Sequence, residues 1–175
     1  MNCKFQDDYI RRFKHFDLLP VRLFRYIQNH EIRILYWARG AENGGVFKYL
    51  YKLMMLITYR KYGCVLNSRN IEGGILLCYA HNIIINNKAI IGKNCTIFGG
   101  TTIGSVRSGK RKGVPVIGDN VVLGMNSFVC GGIHIGNDVL IAANSFVDFD
   151  VPDHSLVFGN PGVIKHKDQA TIDYV

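Results

Sequence analysis

The sequence has little proline and no apolar run long enough to cross a membrane. Only 4 of its 175 residues are proline, whereas 19 are glycine without a Gly-X-Y period, a balance that excludes collagen and predicts many tight turns. The most apolar helical stretch, 46–59, contains Lys48 and Lys52 and ends at Arg60 and Lys61. It is therefore too short and too charged for a transmembrane helix. The first thirty residues lack the apolar core of a signal peptide, so we expect none.

The five cysteines also lack any pattern that points to a metal site or a disulfide framework. No pair has CxxC spacing or the spacing of Cys and His zinc ligands, and an odd number cannot all pair within the chain. We therefore expect a reducing, cytoplasmic location. The cysteines are Cys3, Cys64, Cys78, Cys95 and Cys130.

Acidic residues are fewer than basic ones. The net charge of +8 and the pI near 9.3 favour an anionic partner, which includes a phosphorylated cofactor, nucleic acid or an acidic membrane surface. Composition alone does not choose among these three.

The clearest pattern that is present is a six-residue repeat between residues 117 and 147. Neither a helix, with a period of 3.6, nor a flat strand, with a period of two, explains it, so the chain is expected to turn a corner every six residues in a stacked solenoid. Fourteen positions before Ile117 the repeat resumes at Ile103, and counting backward from there in sixes gives Ile97, Ile91, Ile85 and then Tyr79. The repeat positions that define the pattern are Ile117, Leu123, Val129, Ile135, Ile141 and Val147.

Three regions follow from these patterns. Residues 1–62 are predicted to be helical, with helices at 9–16, 21–37 and 46–62 and breaks at Gly40 and the Gly44-Gly45 pair. The repeat domain spans 63–165, and the tail 166–175 is expected to be partly disordered. The apolar face of the third helix packs on the solenoid or on a sister subunit; the alternative is contact with an anionic membrane surface.

Two segments resemble a known family. The run IGKNCTI at 91–97, with the later hexads, and GNPGVIK at 159–165 are similar to the hexapeptide-repeat acyltransferases. The resemblance is to their serine acetyltransferase-like branch, which also contains sugar and capsule polysaccharide O-acetyltransferases. It implies a mainly β fold, a left-handed parallel β-helix with an α-helical N-terminal region. It also implies a homotrimer with sites between subunits, acetyl-CoA as acyl donor, direct attack assisted by a histidine base, and no metal.

The family histidine corresponds to position 79, where this chain has Tyr79, and His81 follows two residues later. In an extended strand the two side chains would project to the same side, with Cα atoms about 6.5 to 7 Å apart. We therefore predict that His81 is the catalytic base and that Tyr79 is its hydrogen-bond partner, since a phenol with a pKa near 10 is a poor base. The alternatives are a turn histidine satisfied by backbone groups, or a protein that binds the cofactor without transferring. The other histidines, His15, His30, His134, His154 and His166, are interpreted as surface or capping residues.

The resemblance also implies the groups that bind acetyl-CoA. Fourteen positions separate Ile103 from Ile117, which predicts a basic, glycine-rich loop thrown out at a corner. The basic side chains of this loop would contact the phosphates of acetyl-CoA; the alternative is a solvated loop without a ligand. Because the loop has no aromatic residues on which bases could stack, we expect no nucleic-acid partner. The predicted cofactor-binding residues are Gly104, Ser105, Arg107, Lys110, Lys112, Gly124, Ala142, Ala143, Gly159, Pro161 and Lys165.

Two positions differ from the pattern of the serine-specific branch, and both bear on the identity of the acceptor. The serine-specific branch often has a second histidine before the proline that follows the loop, but here Val114 precedes Pro115. An acidic residue that commonly precedes the catalytic histidine is replaced by Cys78. We therefore expect transfer to a hydroxyl of a sugar or polysaccharide precursor, with L-serine as the alternative acceptor and a non-catalytic, CoA-binding trimeric scaffold as the third interpretation.

Overall fold

The computed structural model describes residues 3–42 and 45–174. Four α-helices come first, α1 (Cys3–Phe13), α2 (Leu19–Gln28), α3 (His30–Glu42) and α4 (Lys48–Tyr62). The predicted glycine break at position 44 and the last residue of the tail lie outside the described residues.

The predicted helix at 21–37 is wrong as a single element, because α2 and α3 are separate helices that meet at Asn29. Asn29 has extended backbone angles, φ −104° and ψ 107°, and its side-chain amide donates to the carbonyl of Arg25 at 3.0 Å. Asparagine competes with helical hydrogen bonding in this way. The predicted break at Gly40 is also wrong, since Gly40 lies inside α3. A Cβ at Gly40 would collide with the ring of Tyr51 on α4, so this glycine permits close helix packing.

The rest of the chain forms thirteen short strands within the described residues, arranged as a parallel β-helix of triangular section. The strands are β1 (Leu76–Cys78), β2 (Ile84–Ile85), β3 (Ile90–Ile91), β4 (Thr96–Phe98), β5 (Thr102–Gly104), β6 (Val116–Ile117), β7 (Val122–Leu123), β8 (Phe128–Cys130), β9 (His134–Ile135), β10 (Val139–Ile141), β11 (Phe146–Val147), β12 (Ser155–Phe158) and β13 (Val163–His166). The first sheet has the order β1-β4-β7-β10-β12-β13, the second β11-β8-β5-β2 and the third β3-β6-β9, and all pairs are parallel except β12 with β13. Each full coil therefore supplies one strand to each sheet.

The repeat positions from Ile85 to Val147 form the core, as the six-residue period predicted. The predicted six-residue register is wrong at the next position toward the N-terminus, Tyr79. Leu77, not Tyr79, lies opposite Ile97, and Leu77 is 1% exposed whereas Tyr79 is 69% exposed. Eight positions rather than six separate Leu77 from Ile85, so two extra residues bulge out at this corner.

Polar residues with left-handed backbone angles make the corners. Asparagine and aspartate tolerate φ near +55° better than other residues with a Cβ. The polar residues that precede two of these positions connect coils, because the Asp119 carboxylate accepts from the Lys93 backbone N–H at 2.7 Å and the Asn137 side chain accepts from the Asp119 N–H at 2.8 Å. The corner residues with positive φ include Asn94, Asn120, Asn126, Asp138 and Asn144.

A buried ion pair attaches the helices to the first coil. Arg39 on α3 donates from Nε to Asp8 of α1 at 3.0 Å and from its two Nη atoms to the carbonyls of Ile71 and Glu72, each at 2.6 Å. Asp8 also accepts from the backbone N–H of Ile75 at 2.8 Å. Burial raises the pKa of Asp8 to about 6, although Arg39 opposes this shift.

The C-terminal tail packs on the β-helix through residue 174, whereas the partial disorder expected for 166–175 stays a prediction. Strand β13 pairs antiparallel with β12, and Ala170 and Thr171 are buried. The carboxylate of Asp138 accepts from the backbone N–H groups of both residues at 3.0 Å and from the Thr171 hydroxyl at 2.7 Å. These bonds involve residues more than thirty positions apart, which a local pattern does not reveal.

Candidate active site

His81 lies in the corner that carries the chain from the first sheet to the second. Strand β1 ends at Cys78, and Tyr79 and Asn82 both have positive φ, 51° and 53°. The His81 N–H donates to the Tyr79 carbonyl at 2.7 Å. The expectation of an extended segment is therefore wrong, and so is the argument that alternation brings the two side chains to one side.

The ring of His81 lies among residues of the N-terminal helices. Its centroid is 5.1 Å from that of His30, at the start of α3, and 5.6 Å from that of Tyr62, at the end of α4. His30 stacks on Tyr62 at 4.9 Å. We call these three residues the His30–Tyr62–His81 cluster. The interpretation of His30 as an ordinary surface histidine missed this contact, because no feature of the repeat links the corner to the helices.

The electrostatics of the cluster favour a neutral His30. Burial lowers the pKa of His30, and the neighbouring His81 and Arg33 lower it further, whereas Glu31 opposes the shift. His30 and His81 thus place two imidazole rings side by side at this corner.

Tyr62 is held by its hydroxyl group. Arg33 donates to the Tyr62 hydroxyl at 3.0 Å. Although burial raises the pKa of Tyr62, hydrogen bonds and charge from Arg33 and Lys61 lower it overall. The ring on which His30 stacks is therefore fixed at both its face and its hydroxyl.

Several of the predicted cofactor residues share one edge of the prism with His81. We call it the first edge, formed by the corners 79–83, 99–101, 124–127, 142–145 and 159–162. Backbone hydrogen bonds connect these corners from coil to coil. The Gly100 N–H donates to the His81 carbonyl at 2.8 Å, and the Phe146 N–H donates to the Gly159 carbonyl at 3.0 Å. The predicted residues on this edge are Tyr79, His81, Gly124, Ala142, Ala143, Gly159 and Pro161.

The predicted basic loop belongs to a different edge. We call the corners between the second and third sheets, including 105–115 and 131–133, the second edge. Val106 and Gly113 exchange two backbone hydrogen bonds of 3.0 Å, and the Arg111 carbonyl accepts from the Gly132 N–H at 2.8 Å, so the loop is a hairpin laid on the next coil. The loop and Gly104, at the end of β5, lie at one end of the strands of the second sheet. His81 lies at the other end of these strands. The predicted residues here are Gly104, Ser105, Arg107, Lys110 and Lys112, while Lys165 lies on β13.

His81 does not line either of two cavities near the helices. One, of about 670 Å³, is lined by polar residues of α1 and the first coils, among them Arg11 and Glu72. The other, of about 340 Å³, is lined by aromatic residues such as Tyr26 and Trp37. Among residues 3–42 and 45–174, no group of three or more His, Cys, Asp or Glu side chains is arranged to hold a metal ion. His81 itself is exposed to solvent at the first edge.

Residues 115–148 match the family model described as bacterial transferase hexapeptide (six repeats). The chain is 37% identical over 102 residues to a serine acetyltransferase of Synechococcus elongatus, covering 57% of this chain and 41% of that protein. It is 42% identical over 90 residues to serine acetyltransferase 4 of Arabidopsis thaliana, covering 50% and 25%. The chain thus spans less than half the length of these two relatives.

Solved structures agree over a longer part of the chain. Serine acetyltransferase of Neisseria gonorrhoeae, in complex with serine, has a TM-score of 0.73 and 23% identity over 92% of this chain and 67% of that one. The enzyme of Vibrio cholerae has a TM-score of 0.75 and 22% identity over 96% and 66%. Together with the matched repeat, these neighbours identify the fold as the left-handed parallel β-helix, preceded by helices.

Proposed function

We propose that this chain, a member of the hexapeptide-repeat acyltransferases in their serine acetyltransferase-like branch, transfers the acetyl group of acetyl-CoA to a hydroxyl group. The observation that carries the proposal is the position of His81. It lies on an open edge of a hexapeptide β-helix, beside a His30 whose pKa is lowered. A hydroxyl needs a base within hydrogen-bond reach to become a nucleophile near neutral pH, and imidazole is the usual one.

In the proposed reaction His81 takes a proton from the acceptor hydroxyl and later gives it to the leaving group. The acceptor oxygen forms a bond to the thioester carbonyl carbon while its proton moves to the imidazole of His81. When the C–S bond breaks, that proton passes to the departing thiolate of CoA. Backbone N–H groups of the glycine- and alanine-rich corners are the candidates for holding the carbonyl oxygen as it gains charge.

The separation of the two edges supports a site formed between subunits. In a homotrimer the first edge of one subunit would face the second edge of its neighbour. Ala142 and Ala143 would then line the pantetheine arm, and Arg107, Lys110 and Lys112 would meet the phosphates of acetyl-CoA. Within one chain these groups lie on different edges, so a monomer would hold only half of the site.

L-Serine is the acceptor that the relatives support best. The curated relatives are serine acetyltransferases, and this favours the alternative over the sugar acceptor expected from the sequence. A sugar hydroxyl remains the second candidate because Cys78, Tyr79 and Val114 stand where the serine-specific pattern has other residues. Both acceptors require the same base and the same donor.

Release of CoA, followed with a thiol reagent, tests the proposal. Purified protein with acetyl-CoA is given L-serine or a panel of sugars and nucleotide sugars; turnover with serine is the expected result, and turnover with a sugar alone would select the second candidate. His81→Ala should lower kcat by more than about a hundredfold. His134→Ala, which changes an exposed histidine on β9, should leave kcat unchanged.

Two outcomes would contradict these roles. If His81→Ala remains active while Tyr79→Phe is inactive, His81 is not the base. If calorimetry detects CoA binding but no acceptor supports turnover, and Tyr79→His creates activity, the chain is a CoA-binding scaffold.

A further inference from the structure

The solvent-facing side of α4 is unusually apolar. Thr58 is the only buried residue among the described residues of this helix, and Tyr49 is 81% exposed. Burying such side chains against a partner would remove a large apolar area from water. The exposed apolar residues on and just before the helix are Val46, Phe47, Tyr49, Leu50, Leu53, Leu56, Ile57 and Tyr59.

The positive charge of the protein is concentrated in the same region. Residues 1–62 contain 12 Lys and Arg against 5 Asp and Glu, a net charge of +7, whereas the whole chain carries +8. Residues 46–62 include Lys48, Lys52, Arg60 and Lys61 and no acidic residue. The partner that complements this surface is therefore both apolar and anionic.

Two lysines flank the apolar strip on α4. At about 100° per residue, Tyr49, Leu53 and Leu56 lie near the centre of the solvent-facing side, and Lys52 and Lys61 fall on its two margins. Arg60 lies in line with the strip at the C-terminal end of the helix. Lysines in such positions extend their charged ends to lipid head groups while the apolar residues enter the acyl boundary. Aromatic residues also favour the membrane interface.

We propose that the solvent-facing side of α4 docks on the surface of a bilayer that contains anionic phospholipid, with the helix axis parallel to the membrane. The described ranges 3–42 and 45–174 contain no helix long and apolar enough to cross a membrane. A symmetric contact with α4 of a second copy would repeat the same patch on both sides. It would bring the two sets of lysines together with no carboxylate on either helix to offset them, whereas anionic head groups supply the opposite charge.

Co-sedimentation with vesicles tests this docking surface. The protein should pellet with phosphatidylcholine vesicles that contain phosphatidylserine, much less with phosphatidylcholine alone, and less as the salt concentration rises. Leu53→Ser combined with Leu56→Ser, and separately Lys52→Glu combined with Lys61→Glu, should each weaken binding by more than about tenfold.

The matched control is Lys88→Glu combined with Lys93→Glu, which makes the same charge change on exposed lysines of the β-helix and should bind vesicles as the unchanged protein does. Equal weakening by both charge-reversal pairs would mean that only net charge matters and would overturn the proposal. So would failure of the unchanged protein to bind anionic vesicles. If, in addition, the Leu53 and Leu56 double variant has a smaller mass by light scattering, a second copy covers this face. The lysine variants leave the core untouched, so the test does not depend on folding of the leucine variant.

Discussion

Replacement of Arg39 by methionine tests the attachment of the helices to the β-helix. Arg39 is 1% exposed and joins Asp8 of α1 to the carbonyls of the first coil. Methionine fills much of the same volume but donates no hydrogen bond. The change leaves the Asp8 carboxylate buried without its cation.

The structure indicates a large loss of stability at neutral pH. Removing one partner of a buried ion pair costs about 3 to 5 kcal/mol, and each backbone carbonyl left unsatisfied adds about 1 to 3 kcal/mol when water cannot reach it. Relaxation around the site offsets part of this, so we expect the free energy of unfolding to fall by about 4 kcal/mol. Domains of ordinary stability, about 5 to 15 kcal/mol, would become marginal.

The loss should depend on pH through Asp8. Its folded-state pKa of about 6 lies above the ordinary 3.8, so the folded state binds the proton more tightly, and in the unchanged protein stability falls as pH rises from about 4 to 6 and is then flat. Without Arg39, which lowers this pKa, protonation extends to higher pH. Stability of Arg39→Met should therefore continue to fall above pH 6, and the difference from the unchanged protein should be smaller at pH 5 than at pH 8.

Urea unfolding at pH 5 and pH 8 measures both quantities. Asp8→Asn and the double variant Asp8→Asn/Arg39→Met complete a thermodynamic cycle that isolates the pair. A loss below about 1 kcal/mol at pH 8, or a loss that does not change with pH, would refute the assignment of this ion pair as the link between helices and solenoid.

Three further predictions follow from single contacts. Gly136→Val should lower the free energy of unfolding by about 1 to 3 kcal/mol, because its Cβ would lie 2.5 Å from the backbone of the next coil, whereas Gly45→Ala, with no atom within 4 Å, should be neutral by urea unfolding. Asp138→Ala removes two backbone hydrogen bonds of 3.0 Å to the C-terminal tail, so tail amides should exchange at least about tenfold faster; unchanged exchange would contradict this. Cys3 is exposed, whereas burial raises the pKa of Cys95 to about 12, so a thiol reagent should label Cys3 in the folded protein and Cys95 only after unfolding.

The candidate site was only partly predictable. His81 was predicted as the base because the family resemblance places a histidine at position 79, two residues earlier, and this role stays a prediction. The supposed alignment of its side chain with Tyr79 failed, because two extra residues and two left-handed backbone angles turn that segment into a corner. Nothing in the local sequence signals His30 and Tyr62 as neighbours of His81, since helix patterns do not report which solenoid corner a helix end will meet.

The sequence by itself determined the β-helix. A buried aliphatic residue recurs once per side of the prism, and each corner needs a small residue or an asparagine. A six-residue period therefore buries the apolar side chains when the coils stack on one another. Only the tertiary structure decided that the predicted cofactor residues divide between two edges, that His30 and Tyr62 surround His81, and that α4 turns its apolar side outward. These features depend on how α3 and α4 dock on the first coil, and that docking rests on contacts such as Arg39 with Asp8, between residues far apart in the chain.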